Sequence, residues 1–183
     1  MRYIDALLRR HEIPYWAVCG TLIGAIRHRA VMPWDTDIDI EMTEADFQRF
    51  TALEPTIYAD MGLSITQLRG RGHYKLNHTF DVFVDDKRPD ARQGKPNLFP
   101  HKHEIHPLRE FQFYDFKIYG PYKAKQYLTR AYGDEVFSTC RIWNNAMDIY
   151  FPKGVRQCRH EMPIQSTKHR IWTAVRKEAA FLA

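Results

Sequence analysis

The sequence has few cysteines and no long apolar run. Its three cysteines (Cys19, Cys140 and Cys158) form no CxxC pair, which excludes a disulfide framework and makes a reducing compartment the default. No apolar stretch approaches the roughly 18 residues of a membrane span. The first residues also lack the apolar core of a signal peptide. We therefore expect no membrane span in this chain and a cytoplasmic location by default, unless the chain is a domain of a longer, anchored protein.

Repeats and low-complexity segments are absent as well, so the sequence does not indicate a solenoid or a disordered protein. At 183 residues, of which 44% are hydrophobic, the chain is long enough for one globular domain covering residues 1–183. Its net charge is +5. A basic surface suits a polyanionic substrate such as a nucleoside diphosphate, although charge alone does not distinguish this from nucleic acid.

An acidic run at residues 35–41 is the most informative part of the sequence. Acids at 35, 37, 39 and 41 alternate with apolar residues at 38, 40 and 42, a period of two that predicts a strand with an apolar inner face and an acidic outer face. Carboxylates two residues apart on a strand lie roughly 6.5–7 Å apart at their Cα atoms. They can converge on hard divalent cations such as Mg²⁺, Mn²⁺ or Ca²⁺. A solvated strand face is the alternative.

The remaining pattern predicts an α+β fold, with a small mixed sheet flanked by helices. Pro-, Gly- and His-rich residues 85–110 predict a long loop. The expected helices are 2–12, 21–29, 43–53, 121–132 and a C-terminal helix, 167–182; the expected strands are 15–19, 34–42, 63–68, 73–77, 79–84 and 111–119.

Three features combine into one candidate site. The Gly20-Thr21 turn opens a helix, whose first N–H groups and dipole favour a phosphate. Asp37 and Asp39 supply two carboxylates. Asp81 lies within the apolar strand Phe80–Val84, where an unpaired carboxylate costs several kcal/mol and therefore needs a partner. Together these acids can hold two divalent ions that clamp a phosphate.

These stretches resemble a known family. Residues 19–28 (CGTLIGAIRH) followed by 33–40 (PWDTDIDI) resemble the signature of the LicD/fukutin-related family, and 81–83 (DVF) and 127–134 (YLTRAYGD) are similar to its later motifs. The resemblance spans residues 16–134.

The resemblance implies a nucleotidyltransferase fold of the DNA-polymerase-β type. It also implies a metal-dependent phosphotransferase that moves a phospho-alcohol from a CDP-activated donor, CDP-choline or a CDP-alditol, to a glycan or glycolipid hydroxyl, with release of CMP. No nucleic-acid partner is expected. By position, Asp37, Asp39 and Asp81 would bind Mg²⁺ or Mn²⁺, and Gly20 and Thr21 would hold the donor phosphates.

Further residues are candidates for substrate contacts. Arg27 and His28 end the helix after the glycine turn, where they either cap it or reach a phosphate. Lys75 either faces the site, where it would neutralise the leaving phosphate, or lies on the surface. Arg130 matches the later family motif, and its side chain either contacts the substrate or packs against its own helix. Asp81 or Asp35 could accept the proton of the attacking hydroxyl.

The sequence is also compatible with other functions and excludes some. Nucleotidyl transfer with release of pyrophosphate would use the same metal ligands. An inactive module would instead bind anionic glycans through the basic C-terminal region, and the intact acids at 37, 39 and 81 argue against it. An EF-hand starting at Asp35 is excluded, because the sixth and twelfth positions hold Ile40 and Asp46. His101, His103 and His106 with Glu104 lack a recognised zinc spacing, which favours a solvated loop.

Overall fold

The structure is a computed structural model that describes residues 1–32, 35–68, 72–77, 79–85, 102–138, 141–144 and 149–152. The predicted C-terminal helix, 167–182, lies outside these residues. The chain divides into two compact units, one of Met1–Phe137 and one that begins at Ser138, and each is described by itself. The prediction of a single domain stays a prediction.

The first unit contains helices, strands and one 3₁₀ turn. Its helices are α1 (Arg2–Arg10), α2 (Cys19–His28), α3 (Glu44–Thr51), α4 (Glu54–Met61), α5 (Lys102–Ile105) and α6 (Ala124–Tyr132), followed by a 3₁₀ turn at Asp134–Phe137. Its strands are β1 (Trp16–Ala17), β2 (Ile38–Met42), β3 (Thr66–Gln67), β4 (His73–Asn77), β5 (Phe80–Val84), β6 (Arg109–Phe113) and β7 (Phe116–Gly120).

Five of these strands form one mixed sheet, in the order β1-β2-β5-β4-β3. Strands β2 and β5 are parallel neighbours at its centre, whereas the other pairs are antiparallel. The parallel register places Asp39 opposite Asp81, and the β4–β5 register places Lys75 opposite Asp81. The two acidic segments therefore meet at the middle of the sheet.

The apolar residues that alternate with these acids build a core with helices α1, α3 and α4. This cluster contains Ile40, Met42, Val82 and Val84, and all four side chains are wholly buried. Another buried cluster joins β1 and α2 to α6 and to the β6–β7 hairpin, with Trp16 and Tyr127 among its largest members. Helices thus pack behind the sheet, as the α+β prediction requires.

The sequence also misassigned some elements. Residues 111–119 were expected to form one strand, but they belong to the β6–β7 hairpin, whose turn contains Tyr114 at φ 56°. Helix α5 and the start of β6 lie within the predicted loop 85–110. The helix expected to begin at Pro121 begins at Ala124, and α4 was not predicted.

The described part of the second unit is a hairpin of β8 (Arg141–Asn144) and β9 (Ile149–Pro152). Its strands are antiparallel, with Arg141 opposite Pro152 and Asn144 opposite Ile149. Across both units, none of the described helices has the length and apolar character that a bilayer crossing requires.

Candidate active site

Three aspartates converge at the centre of the sheet. Asp39 and Asp81 face each other across β2 and β5, and Asp37 immediately precedes β2. One carboxylate oxygen of each lies within 4.8 Å of those of the other two. Asp39 is 9% exposed and Asp81 is 3% exposed. Three acids in so small and shielded a volume repel one another, which favours a cation between them.

The start of α2 fixes the backbone of Asp39. The Thr21 hydroxyl accepts a hydrogen bond of 2.8 Å from the Asp39 amide, and the Val18 amide donates to the Asp39 carbonyl at 3.2 Å. Thr21 is only 1% exposed. Its side chain therefore ties the acidic strand to the helix, a contact that the sequence did not predict, and its predicted contact with donor phosphates stays a prediction.

Gly20 gives the Asp35 carboxylate room. A Cβ at Gly20 would lie 2.1 Å from Asp35 Oδ2, so the carboxylate packs directly on the glycine backbone. Burial, a hydrogen bond with Asp37 and the charge of Asp37 raise the pKa of Asp35 from 3.8 to about 7. Gly20, which lies in the first turn of α2 and not in the turn expected before the helix, is thus part of the acidic site.

Asp81 is held by two side chains from β4. His73 Nε2 lies 2.6 Å from Oδ1, and Lys75 Nζ donates to Oδ2 at 2.8 Å. Burial alone would raise the pKa of Asp81, but the hydrogen bonds from His73 and Lys75 outweigh it and hold that pKa below its ordinary value. Lys75 does face the site, whereas His73 was missed. The sequence did contain a signal for His73, because His73 lies two residues before Lys75 and therefore on the same face of the strand.

The other predicted contact residues have partners elsewhere in the first unit. Arg27 Nη1 donates to the Val136 carbonyl at 3.2 Å, and burial lowers the pKa of Arg27. His28 is the last residue of α2. Arg130 donates to both oxygens of Glu104, at 2.9 and 3.2 Å. Phosphate contacts of Arg27, His28 and Arg130 stay predictions.

A histidine zinc site gains no support from the described residues. Glu104 is paired with Arg130, and His101 lies outside the described part of the chain. Within that part, Asp37, Asp39 and Asp81 are the one cluster of three or more potential metal ligands.

The acidic face of β2 is less exposed than the sequence suggested. Glu41 was expected to point outward, but it is 1% exposed and accepts a hydrogen bond from the Trp16 indole at 3.2 Å. The pairing of β1 with β2 places the two residues opposite each other. Glu41 is therefore a structural acid, separate in role from the three converging aspartates.

Similar proteins include named transferases. Ribitol 5-phosphate transferase FKRP of Mus musculus is 41% identical over 169 residues, which cover 80% of this chain and 33% of that protein. Lipopolysaccharide cholinephosphotransferase LicD of Haemophilus influenzae is 52% identical over 48 residues, which cover 26% of this chain and 18% of that protein. An uncharacterised protein of Rickettsia typhi is 28% identical over 162 residues, 83% of this chain and 48% of that protein.

The chain thus spans less than half the length of each of these three relatives. A family model described as "LicD/FKTN/FKRP, nucleotidyltransferase domain" matches residues 12–123. The matched region contains α2, β2 and β5, the elements that carry Gly20 and the three aspartates. The mixed sheet and the converging acids are consistent with this domain type, and the chain belongs to the LicD/FKTN/FKRP nucleotidyltransferase-domain family.

Proposed function

We propose that this chain is a metal-dependent phosphotransferase that moves a phospho-alcohol from a CDP-linked donor to a glycan hydroxyl, releasing CMP. The observation that carries the proposal is the convergence of Asp37, Asp39 and Asp81 within 4.8 Å, with Gly20 at the start of α2 packed against the neighbouring Asp35. Membership of the family supports the reaction class. Two relatives, a cholinephosphotransferase and a ribitol 5-phosphate transferase, support phosphocholine or an alditol phosphate as the transferred group.

The residues present fit a site for Mg²⁺ or Mn²⁺. All three candidate ligands are carboxylates, the hard oxygen donors that these ions prefer. Burial, followed by the hydrogen bond with Asp37 and its charge, raises the pKa of Asp35 to about 7, so the site disfavours a further negative charge unless a cation is present. When bound, divalent ions would polarise the donor pyrophosphate and stabilise the charge that develops on the leaving phosphate.

The chain's own residues would orient the donor and accept a proton. In the transfer, the acceptor oxygen forms a bond to the phosphorus that carries the alcohol, and the bond from that phosphorus to the CMP oxygen breaks. CMP leaves with the electron pair. Both oxygens of Asp81 already accept hydrogen bonds from His73 and Lys75, which makes Asp35 the better candidate to accept the hydroxyl proton.

A donor screen with the full chain tests the proposal. CDP-choline, CDP-ribitol, CDP-glycerol, CTP and ATP are offered with Mg²⁺ or Mn²⁺ and a glycan acceptor, and released CMP and pyrophosphate are measured. We expect divalent-dependent CMP release that Asp37→Asn and Asp39→Asn abolish. Asp60→Asn, an exposed aspartate on α4, is the matched control and should retain activity.

The same screen identifies the alternatives. The "nucleotidyltransferase" description of the matching family model keeps nucleotidyl transfer as a second candidate. Release of pyrophosphate from CTP or ATP, without CMP release from any CDP-linked donor, would establish that reaction instead. Glycan binding with no effect of Mn²⁺ and no affinity for a CDP-linked ligand would indicate an inactive binding module.

A further inference from the structure

One ion pair joins β4 to β5 beside the converging aspartates. Lys75 lies opposite Asp81 in the β4–β5 register, and its Nζ atom donates to Asp81 Oδ2 at 2.8 Å. The side chain of Asp81 is 4% exposed, whereas that of Lys75 is 26% exposed. A carboxylate so deeply buried is costly without a positive partner. The Lys75 ammonium therefore compensates the charge of Asp81 in the absence of a divalent ion.

The two oxygens of Asp81 are held by side chains of different mobility. His73 Nε2 lies 2.6 Å from Oδ1, and the imidazole is stacked on the Phe83 ring with the ring centroids 4.5 Å apart. Packing against that ring fixes the orientation of the imidazole. Lys75, in contrast, reaches Oδ2 through a flexible four-carbon stem. Oδ2 is thus the oxygen whose partner can move away with the least disturbance of the packing around Asp81.

The same carboxylate belongs to the candidate metal cluster. One oxygen of Asp81 lies within 4.8 Å of an oxygen of Asp37 and of an oxygen of Asp39. Because Mg²⁺ lies about 2.0–2.1 Å from its ligand oxygens, an ion and an ammonium on one carboxylate oxygen would be about 5 Å apart or less. Two positive charges so close together in a shielded site repel each other. The divalent ion carries twice the charge of the ammonium, so the three carboxylates favour it.

We infer that Lys75 is an internal counter-ion of Asp81, and that it leaves Oδ2 when a divalent ion binds while His73 keeps its contact with Oδ1. The inference rests on the divalent-ion site of the proposed function. It gives Lys75 two positions, one on Asp81 in the metal-free chain and one beside the loaded site. In the second position the ammonium is available to the leaving phosphate.

Calorimetric titration of Mn²⁺ into the full chain tests the exchange of charges. The variants are Lys75→Met, which removes the charge, and Lys75→Arg, which keeps the charge and can hold a carboxylate with two N–H groups. The control is Lys117→Met, because Lys117 also donates to a carboxylate, that of Glu110 at 3.1 Å, in the β6–β7 hairpin.

Loss of the competing charge should tighten metal binding. We expect Lys75→Met to bind Mn²⁺ at least about fivefold more tightly than the wild type, Lys75→Arg to bind it no more tightly, and Lys117→Met to change affinity less than twofold. A side chain that merely supports the ligand would give the opposite sign. Equal or weaker binding by Lys75→Met, or equal tightening in Lys75→Arg, would therefore overturn the inference.

Acetylation of the wild-type chain reports the movement of Lys75 directly. The chain is treated briefly with an amine-reactive acetylating reagent, with and without saturating Mg²⁺, and each lysine is quantified by peptide mass spectrometry. A side chain that has left a buried carboxylate is more accessible, so Lys75 should be acetylated at least threefold faster with Mg²⁺, while Lys117 should not change. An unchanged or slower reaction of Lys75 would overturn the inference, and this measurement decides it even if Lys75→Met does not fold.

The donor assay separates this inference from the proposed function. If CMP is released but Lys75→Met does not tighten Mn²⁺ binding, the inference fails while the proposed function stands. If Lys75→Met tightens binding and Mg²⁺ exposes Lys75, but no CDP-linked donor is consumed, the counter-ion stands and the phosphotransferase assignment fails. If the wild type and Lys75→Met both fail to bind Mn²⁺, the inference and the metal dependence of the proposed function fail together.

Discussion

The substitution Asp35→Asn should stabilise the chain at pH 8 in the absence of divalent ions. The Asp35 carboxylate packs on Gly20, and burial, the hydrogen bond with Asp37 and the charge of Asp37 raise its pKa to about 7. Because the folded pKa lies above the unfolded one, the stabilising contribution is complete below about pH 4 and is lost as the pH rises through 7. Asparagine cannot ionise, and it keeps an N–H donor for Asp37.

The magnitude follows from the size of the pKa shift. A change from 3.8 to about 7 is roughly three units, which corresponds to a ceiling of about 4 kcal/mol. Since the side chain is partly exposed, solvent screening reduces this to about 2 kcal/mol. For a chain of this size, that free energy raises Tm by about 4–8 °C.

Thermal denaturation followed by circular dichroism, in EDTA, measures the effect. The advantage of Asp35→Asn over the wild type should be largest at pH 8 and should shrink steadily toward pH 4, while Asp60→Asn should show no such trend. An Asp35→Asn variant that is no more stable than the wild type at pH 8, or whose advantage grows toward pH 4, would refute the raised pKa of this carboxylate.

Two further substitutions test packing and ion pairing elsewhere in the first unit. Gly24→Ala would place a Cβ 2.4 Å from the Ala30 carbonyl oxygen, and we expect a loss of about 1–3 kcal/mol in urea unfolding; wild-type stability would show that the close approach is not real. Glu104→Gln removes the charge paired with Arg130, whose side chain is 26% exposed, and should cost about 2 kcal/mol. The control Glu110→Gln, whose side chain is 39% exposed in its pair with Lys117, should cost less than about 1 kcal/mol; equal losses would contradict the ranking by burial.

The converging aspartates could be picked out from local patterns, whereas the pairing of β2 with β5 that joins Asp39 to Asp81 is not local. The spacing of two residues between Asp37 and Asp39 indicates a shared side, and a lone acid in the apolar strand β5 requires a partner. Thr43 followed by Asp46 is likewise a local capping pattern, and in the structure the Thr43 hydroxyl accepts a hydrogen bond from the Asp46 amide at 3.2 Å. Such features involve residues a few positions apart.

The missed features depend on packing between distant segments. His73 reaches Asp81 because of the β4–β5 register, which contains a shift between Lys75 and Asn77. The burial of Glu41 depends on the indole of Trp16, 25 positions away along the chain. The β6–β7 turn contains Tyr114 at positive φ, and neither glycine nor proline marks it in the sequence.

The central claim is that Asp37, Asp39 and Asp81 hold divalent ions. Calorimetric titration of Mn²⁺ into the full chain at pH 7.5 measures this directly, with Asp60→Asn as the control. Loss of a residue that only supports a metal ligand typically weakens affinity about 10–100-fold, and loss of a ligand itself should cost at least as much. We therefore predict that Asp39→Asn and Asp81→Asn each weaken Mn²⁺ binding at least tenfold, and that Asp60→Asn leaves it unchanged. Wild-type affinity in both Asp39→Asn and Asp81→Asn would contradict the account.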